Sequence, residues 1–119
     1  MKKIVMILAV LLGSTAAFAH SHMKSSSPSA GSTLSEAPSQ VVLHLSEAVE
    51  SKFSKIEVTD DSGARVDDGA VATDSDNQTL KVALKPALKP GKYHVKWGAT
   101  AVDTHKSSGR FDFTVKAGE

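Results

Sequence analysis

Ala101-Val102-Asp103-Thr104-His105 sets a carboxylate and an imidazole two positions apart, between two runs of alternating apolar residues. On an extended chain, residues i and i+2 share a face, so the two side chains would point the same way. Both donate electron pairs to metals, and together they supply half of a small coordination sphere. His20, far away in sequence, is the candidate for the remainder. The competing reading of Asp103 and His105 is a polar strand end that binds nothing. The choice between the two depends on how the chain begins.

It begins with Lys2-Lys3, an unbroken apolar run from Ile4 to Leu12, and the small-residue signature Ala17-Phe18-Ala19. This pattern predicts a secretory signal peptide over residues 1–19, since the run is too short to span a bilayer and is followed by small and polar residues. Cleavage after Ala19 makes His20 the first residue of a domain spanning 20–119. Without the leader's two lysines, 12 Lys+Arg face 13 Asp+Glu on the remaining 100 residues. The charges are interspersed and form no basic block, which argues against nucleic acid as a partner. No second apolar run follows, so the mature chain is not expected to insert into a membrane. A single domain of this length buries roughly two-thirds of its unfolded surface. The chain has no cysteine, so its core must hold without disulfides, and any metal must be met by nitrogen, oxygen or thioether ligands.

The elements that must position these groups read as strands. Pro28, Gly31 and Pro38 oppose a long helix between Ser25 and Ser39. Val41, Leu43 and Leu45 share one face of a strand; Phe53, Ile56 and Val58 suggest another, closed by the turn Asp60-Asp61-Ser62-Gly63. A short edge strand is expected within Ala64–Val71, and a surface turn at Thr73–Asn77. Leu80, Val82 and Leu84 alternate with polar or small residues. So do Tyr93, Val95 and Trp97, and then Phe111, Phe113 and Val115. Ser46–Lys52 could make one turn of helix, but its residues are mostly polar. With no internal repeat and no long linker, the expectation is one all-β domain, an antiparallel sandwich or barrel.

A free α-amine titrates near pH 8, so a metal displaces its proton at neutral pH. The amine and Nδ1 of an N-terminal His20 close a six-membered chelate. Adding Asp103 and His105 gives three nitrogens and one oxygen in a nearly square plane, the preference of Cu(II) rather than tetrahedral Zn(II). Of the other histidines, His94 sits between lysines on the outward face of its strand and reads as a solvated surface residue. His44 also faces away from Val41, Leu43 and Leu45, as a surface residue or a supporting partner. Tyr93 and Trp97 have the spacing of core residues. Asp60-Asp61, Asp67-Asp68 and Asp74-Ser75-Asp76-Asn77 lack the spacing and closing glutamate of a calcium loop and read as solvated turns. No Gly-x-Ser-x-Gly turn sharpens a serine for catalysis.

The mature chain resembles the CopC family, the periplasmic copper resistance protein C group. The residues that carry the resemblance are His20, Ser26-Ser27-Pro28-Ser29-Ala30-Gly31, Val42-Leu43-His44-Leu45-Ser46-Glu47, Leu88-Lys89-Pro90-Gly91-Lys92-Tyr93-His94-Val95-Lys96-Trp97 and Asp103-Thr104-His105, with Gly109 and Phe113. These run in order along nearly all of the mature chain. The resemblance implies a Greek-key, immunoglobulin-like β-sandwich or barrel in the periplasm. It implies one Cu(II) per chain, carried over to His20, Asp103 and His105, and a CopD-type inner-membrane copper transporter as partner. Some members also bind Cu(I) in a methionine-rich loop. Here Asp60–Gln78 contains no methionine, and Met23 alone survives removal of the leader, so a Cu(II)-only protein is expected.

Members of that family often carry proline in the second mature position, whereas this chain reads His20-Ser21-His22. Here the amine, the next two amides and the His22 ring could wrap a square-planar metal unaided. A prearranged pocket needs less ordering and no amide deprotonation, so the folded site is favoured, with His22 as an accessory ligand. The resulting expectation is a Cu(II) carrier or sequestering protein, not an enzyme. Two alternatives stand beside it. One is a copper-dependent oxidative enzyme, since an N-terminal histidine chelate also serves that chemistry; Asp103 would then fill a position needed for oxygen. The other is a structural sandwich with incidental histidines.

Overall fold

The computed structural model describes residues 23–117. The leader, His20 and His22 therefore lie outside the described residues. Eight strands follow one another: β1 (Met23–Ser27), β2 (Thr33–Leu34), β3 (Gln40–Leu45), β4 (Lys55–Asp60), β5 (Asp67–Thr73), β6 (Thr79–Leu84), β7 (Gly91–Thr100) and β8 (Lys106–Val115). They form two four-stranded sheets, ordered β1-β3-β6-β5 and β2-β8-β7-β4. Every pairing is antiparallel except that of the two-residue β2, which runs parallel to β8. The expectation of a wholly antiparallel sheet fails at this one pair. The amide of Gly31 donates to the Asp112 carbonyl at 2.7 Å, and that contact sets the chain alongside β8.

The period-two runs become the core. Val41, Leu43 and Leu45 from β3 and Leu80, Val82 and Leu84 from β6 meet residues of the other sheet. The opposing layer is Ile56 and Val58 of β4, Tyr93, Val95 and Trp97 of β7, and Phe111, Phe113 and Val115 of β8. Tyr93 and Phe113 stack at 5.4 Å between ring centroids, a directly opposed cross-strand pair. Trp97 lies opposite Gly109, and a Cβ at Gly109 would come within 2.9 Å of the Trp97 Nε1. Glycine is thus what lets the indole lie flat over the neighbouring strand.

Phe53 departs from its expected place. It ends a short 3-10 turn, Ser51–Phe53, and is 68% exposed. The spacing explains why. Ile56 and Val58 are two apart and share a face, but Phe53 is an odd three residues from Ile56, so no single strand could bury both.

Asp67 also departs from its reading as a solvated turn residue. Its carboxylate is buried and bridges the sheets, accepting from the Val58 amide at 2.7 Å, the Gly69 amide at 2.8 Å and the Arg65 guanidinium at 2.7 and 2.9 Å. Burial alone would raise this carboxyl's pKa; the Arg65 guanidinium and the two amides outweigh it and hold the group below the usual carboxylate value.

Candidate metal centre

Strands β7 and β8 form the longest hairpin of the fold, and Asp103 and His105 lie in its connection rather than on a strand. The Thr104 amide donates to the Ala101 carbonyl at 2.8 Å, and the Ala101 amide to the His105 carbonyl at 2.8 Å. Thr104 itself has φ 77°, left-handed backbone that is costly for a β-branched residue. A turn followed by a left-handed residue is a common way to close a short hairpin, with glycine the usual occupant of that position. Backbone strain of this kind persists where the surroundings over-determine it.

The turn brings the two side chains together. Oδ1 of Asp103 accepts the His105 amide at 3.2 Å, and Oδ2 lies 3.0 Å from His105 Nδ1. The His105 amide, and then the His105 ring, hold the Asp103 carboxyl below the usual carboxylate range. Asp103 is thus ionised at neutral pH. Both side chains are about half exposed, so a metal and its remaining ligands have access. Among the described residues, no cluster of three or more His, Cys, Asp or Glu side chains is arranged to hold a metal. Asp103 and His105 stand there as one oxygen and one nitrogen donor side by side.

The hairpin end is tied to the start of the chain. The Val102 amide donates to the Ala48 carbonyl at 3.1 Å, and Val49 bridges Ala101. Ala48 follows three residues after Leu45, the end of β3, and Leu45 is paired with Met23. Strand β1 is antiparallel to β3, and its first residue, Met23, pairs with Leu45 at the end of the fold that carries Asp103 and His105.

The other two histidines in the described residues lie elsewhere. The ring of His44 is 3.4 Å from the Thr79 hydroxyl, on the exposed face of β3. His94 is not simply solvated, as its lysine neighbours suggest. Its Nε2 is 2.8 Å from Asp61 and its Nδ1 is 2.8 Å from Asp112. Hydrogen bonds accepted by Asp61, then by Asp112, raise the His94 pKa above its ordinary value. The alternation of β7 and β8 contains a signal for two of this trio, because it puts His94 and Asp112 on the same outward face, directly opposed. Asp61 comes from a turn, and no spacing announces it.

Comparison with known proteins places this geometry in context. Residues 23–116 match the family model for the CopC domain. The chain is 34% identical over 111 residues to Protein YobA of Escherichia coli K12, covering 92% of this chain and 90% of that protein. Its fold is similar to the crystal structure of CopC from Methylosinus trichosporium OB3b, with a TM-score of 0.78 and 30% identity over 84% of this chain and 97% of the other. It is also similar to PcoC, a methionine-rich copper resistance protein from Escherichia coli. That match has a TM-score of 0.71 and 33% identity, and covers 82% of this chain and 99% of the other.

Proposed function

The chain belongs to the CopC family, and from that premise we propose that it is a periplasmic Cu(II)-binding protein. It carries or sequesters one copper ion per chain through His20, Asp103 and His105. The observation that supports this reading is that Met23 and the hairpin turn lie at the same end of the sandwich. Met23 pairs with Leu45, and the segment just beyond Leu45 holds Val102 through Ala48. Three residues of extended chain span about 10 Å, which is the reach available between Met23 and a free amine on His20.

The Asp103–His105 pair, now a hydrogen bond, is also spaced as two neighbouring donors on Cu(II) would be. Two donor atoms about 2.0–2.1 Å from a metal and at right angles to each other are themselves roughly 3 Å apart. Oδ2 and Nδ1 already stand at 3.0 Å. An ionised Asp103 needs no proton removed, and once its hydrogen bond to His105 Nδ1 gives way the hairpin offers an oxygen and an imidazole nitrogen for two adjacent corners of a square plane. The His20 amine and ring nitrogen would fill the other two. Such a four-cornered set leaves copper with no equatorial vacancy for oxygen, and this favours a carrier over an oxidative enzyme.

The relative described as methionine-rich marks a contrast. This chain keeps only Met23 beyond its leader, one soft ligand where Cu(I) needs several, which supports a Cu(II)-only protein. A CopD-type inner-membrane transporter is the proposed partner, and the leader pattern supports the periplasmic assignment. Electron paramagnetic resonance of the exported protein with one equivalent of Cu(II) tests the site. The account expects an axial signal from three nitrogens and one oxygen, lost in His105→Ala and unchanged in His22→Ala. A signal that survives His105→Ala but changes with His22→Ala would assign copper to the terminal peptide instead.

A further inference from the structure

A groove of about 530 Å³ lies on the β4-β7-β8 sheet beside the hairpin that carries Asp103 and His105. Gly98 lies among its lining residues, and Phe53, Lys52, Lys55 and Lys106 contribute to its walls. No aspartate or glutamate lines it. Lys55 has a long contact to Glu57 at 3.6 Å, with its own side chain 65% exposed, so little of its charge is spent there. The hydroxyl of Ser107, also on the groove wall, is buried with no hydrogen-bond partner among the described residues.

Two large apolar side chains stand out in the solvent at this end of the molecule. Phe53 is 68% and Val102 57% exposed. The Thr100 hydroxyl donates to the Phe53 carbonyl at 3.1 Å, and the Thr100 amide donates to the Ser54 hydroxyl at 3.2 Å, fixing the Phe53 turn against β7. The turn that carries this exposed ring is thus pinned to the neighbouring strand, with Lys52, Lys55 and Lys106 lining the same groove. An exposed apolar side chain beside charge is the pattern of a recognition surface.

We propose that this groove docks an acidic segment of a partner protein, an extended stretch with carboxylates on either side of an apolar side chain. The lysines meet the carboxylates and Phe53 meets the apolar residue. A bilayer fits less well, because a flat surface does not follow a concave floor. Docking here sets the partner against Lys106, the residue directly after His105, so copper could pass without crossing the protein. To that extent the use of the groove rests on the copper reading, while its binding chemistry does not.

The test is a heteronuclear NMR titration of the copper-free mature protein with a short peptide alternating Glu and Leu, and a second with a peptide alternating Lys and Leu. Amide shifts at Gly98, Thr100, Ser107 and Ser108 with the first peptide alone are expected. A Lys52→Gln/Lys55→Gln variant should bind roughly tenfold more weakly, as should Phe53→Ser, and added salt should weaken the wild type. Equal shifts from both peptides, or none in the groove, would overturn the proposal. So would protection of the same amides by phosphatidylglycerol vesicles in place of the acidic peptide, which would make the face a membrane contact. Because no copper is present, failure here leaves the copper site standing, and failure of copper binding leaves this result readable.

Discussion

The amide of Val102 donates to the carbonyl of Ala48 at 3.1 Å, and with the Val49–Ala101 bridge this bond joins the hairpin of one sheet to the exit from β3 in the other. On one side of it stand Asp103 and His105. On the other, three residues back, Leu45 is paired with Met23. The exit from β3, the hairpin turn and Met23 therefore converge at one end of the sandwich.

Loss of either hairpin ligand should be severe. Asp103→Ala and His105→Ala should each lower Cu(II) affinity by more than about 100-fold, beyond what removing an outer-sphere partner costs. Competition against a chromophoric chelator measures it. Neither side chain is buried, so thermal unfolding of the copper-free variants should match wild type; a large fall would instead mark the pair as structural.

Asp67 is a stability residue. Asp67→Ala leaves the Val58 and Gly69 amides and the Arg65 guanidinium without their acceptor, and should cost about 2–3 kcal/mol in chemical denaturation. Its folded pKa is depressed, so its contribution is present above the model value of 3.8 and is lost as pH falls through the lower folded value. The gap between wild type and variant should narrow in acid. A gap that persists there would show the loss to be packing alone.

His94 has the opposite sign. Its folded pKa is raised above 6.5, so the Asp61–His94–Asp112 contribution is complete below that value and fades as pH climbs through the raised one. All three groups are substantially exposed, and the effect should be small and salt-sensitive. The difference in denaturation midpoint between wild type and His94→Gln should be larger at about pH 5 than at about pH 8. An equal difference at both would remove the charge from the explanation.

Gly109→Ala should destabilise the fold by about 1–3 kcal/mol, as overpacking does, because the new methyl meets a buried indole at 2.9 Å. The emission of Trp97, the only tryptophan, should shift as the ring is displaced. Unchanged emission and stability would mean that the strands part at no cost.

Much of this was legible in the residues. The alternation of β3, β6, β7 and β8 marked the core faces because each is apolar on one side only, and a period of two has no other reading. The parallel β2 was not legible, since two residues carry no period. Asp103 and His105 do meet, but by a route the extended-chain argument did not contain: the left-handed Thr104 folds the backbone, and the side chains converge around a turn. Asp67 was misjudged, whereas Asp61 does sit in an exposed turn. Acidic residues in turns usually face water, and only the fold shows that Arg65 and the Val58 amide claim Asp67, and that Asp61 reaches His94 from its turn.

The central claim is that a free amine on His20 completes the site. Cu(II) titration of the mature protein beginning at His20 should therefore show tight binding of one equivalent, and the same protein with one extra residue before His20 should bind far more weakly. Equal affinity in the two would contradict the account, because Asp103 and His105 would then be holding copper without the terminus.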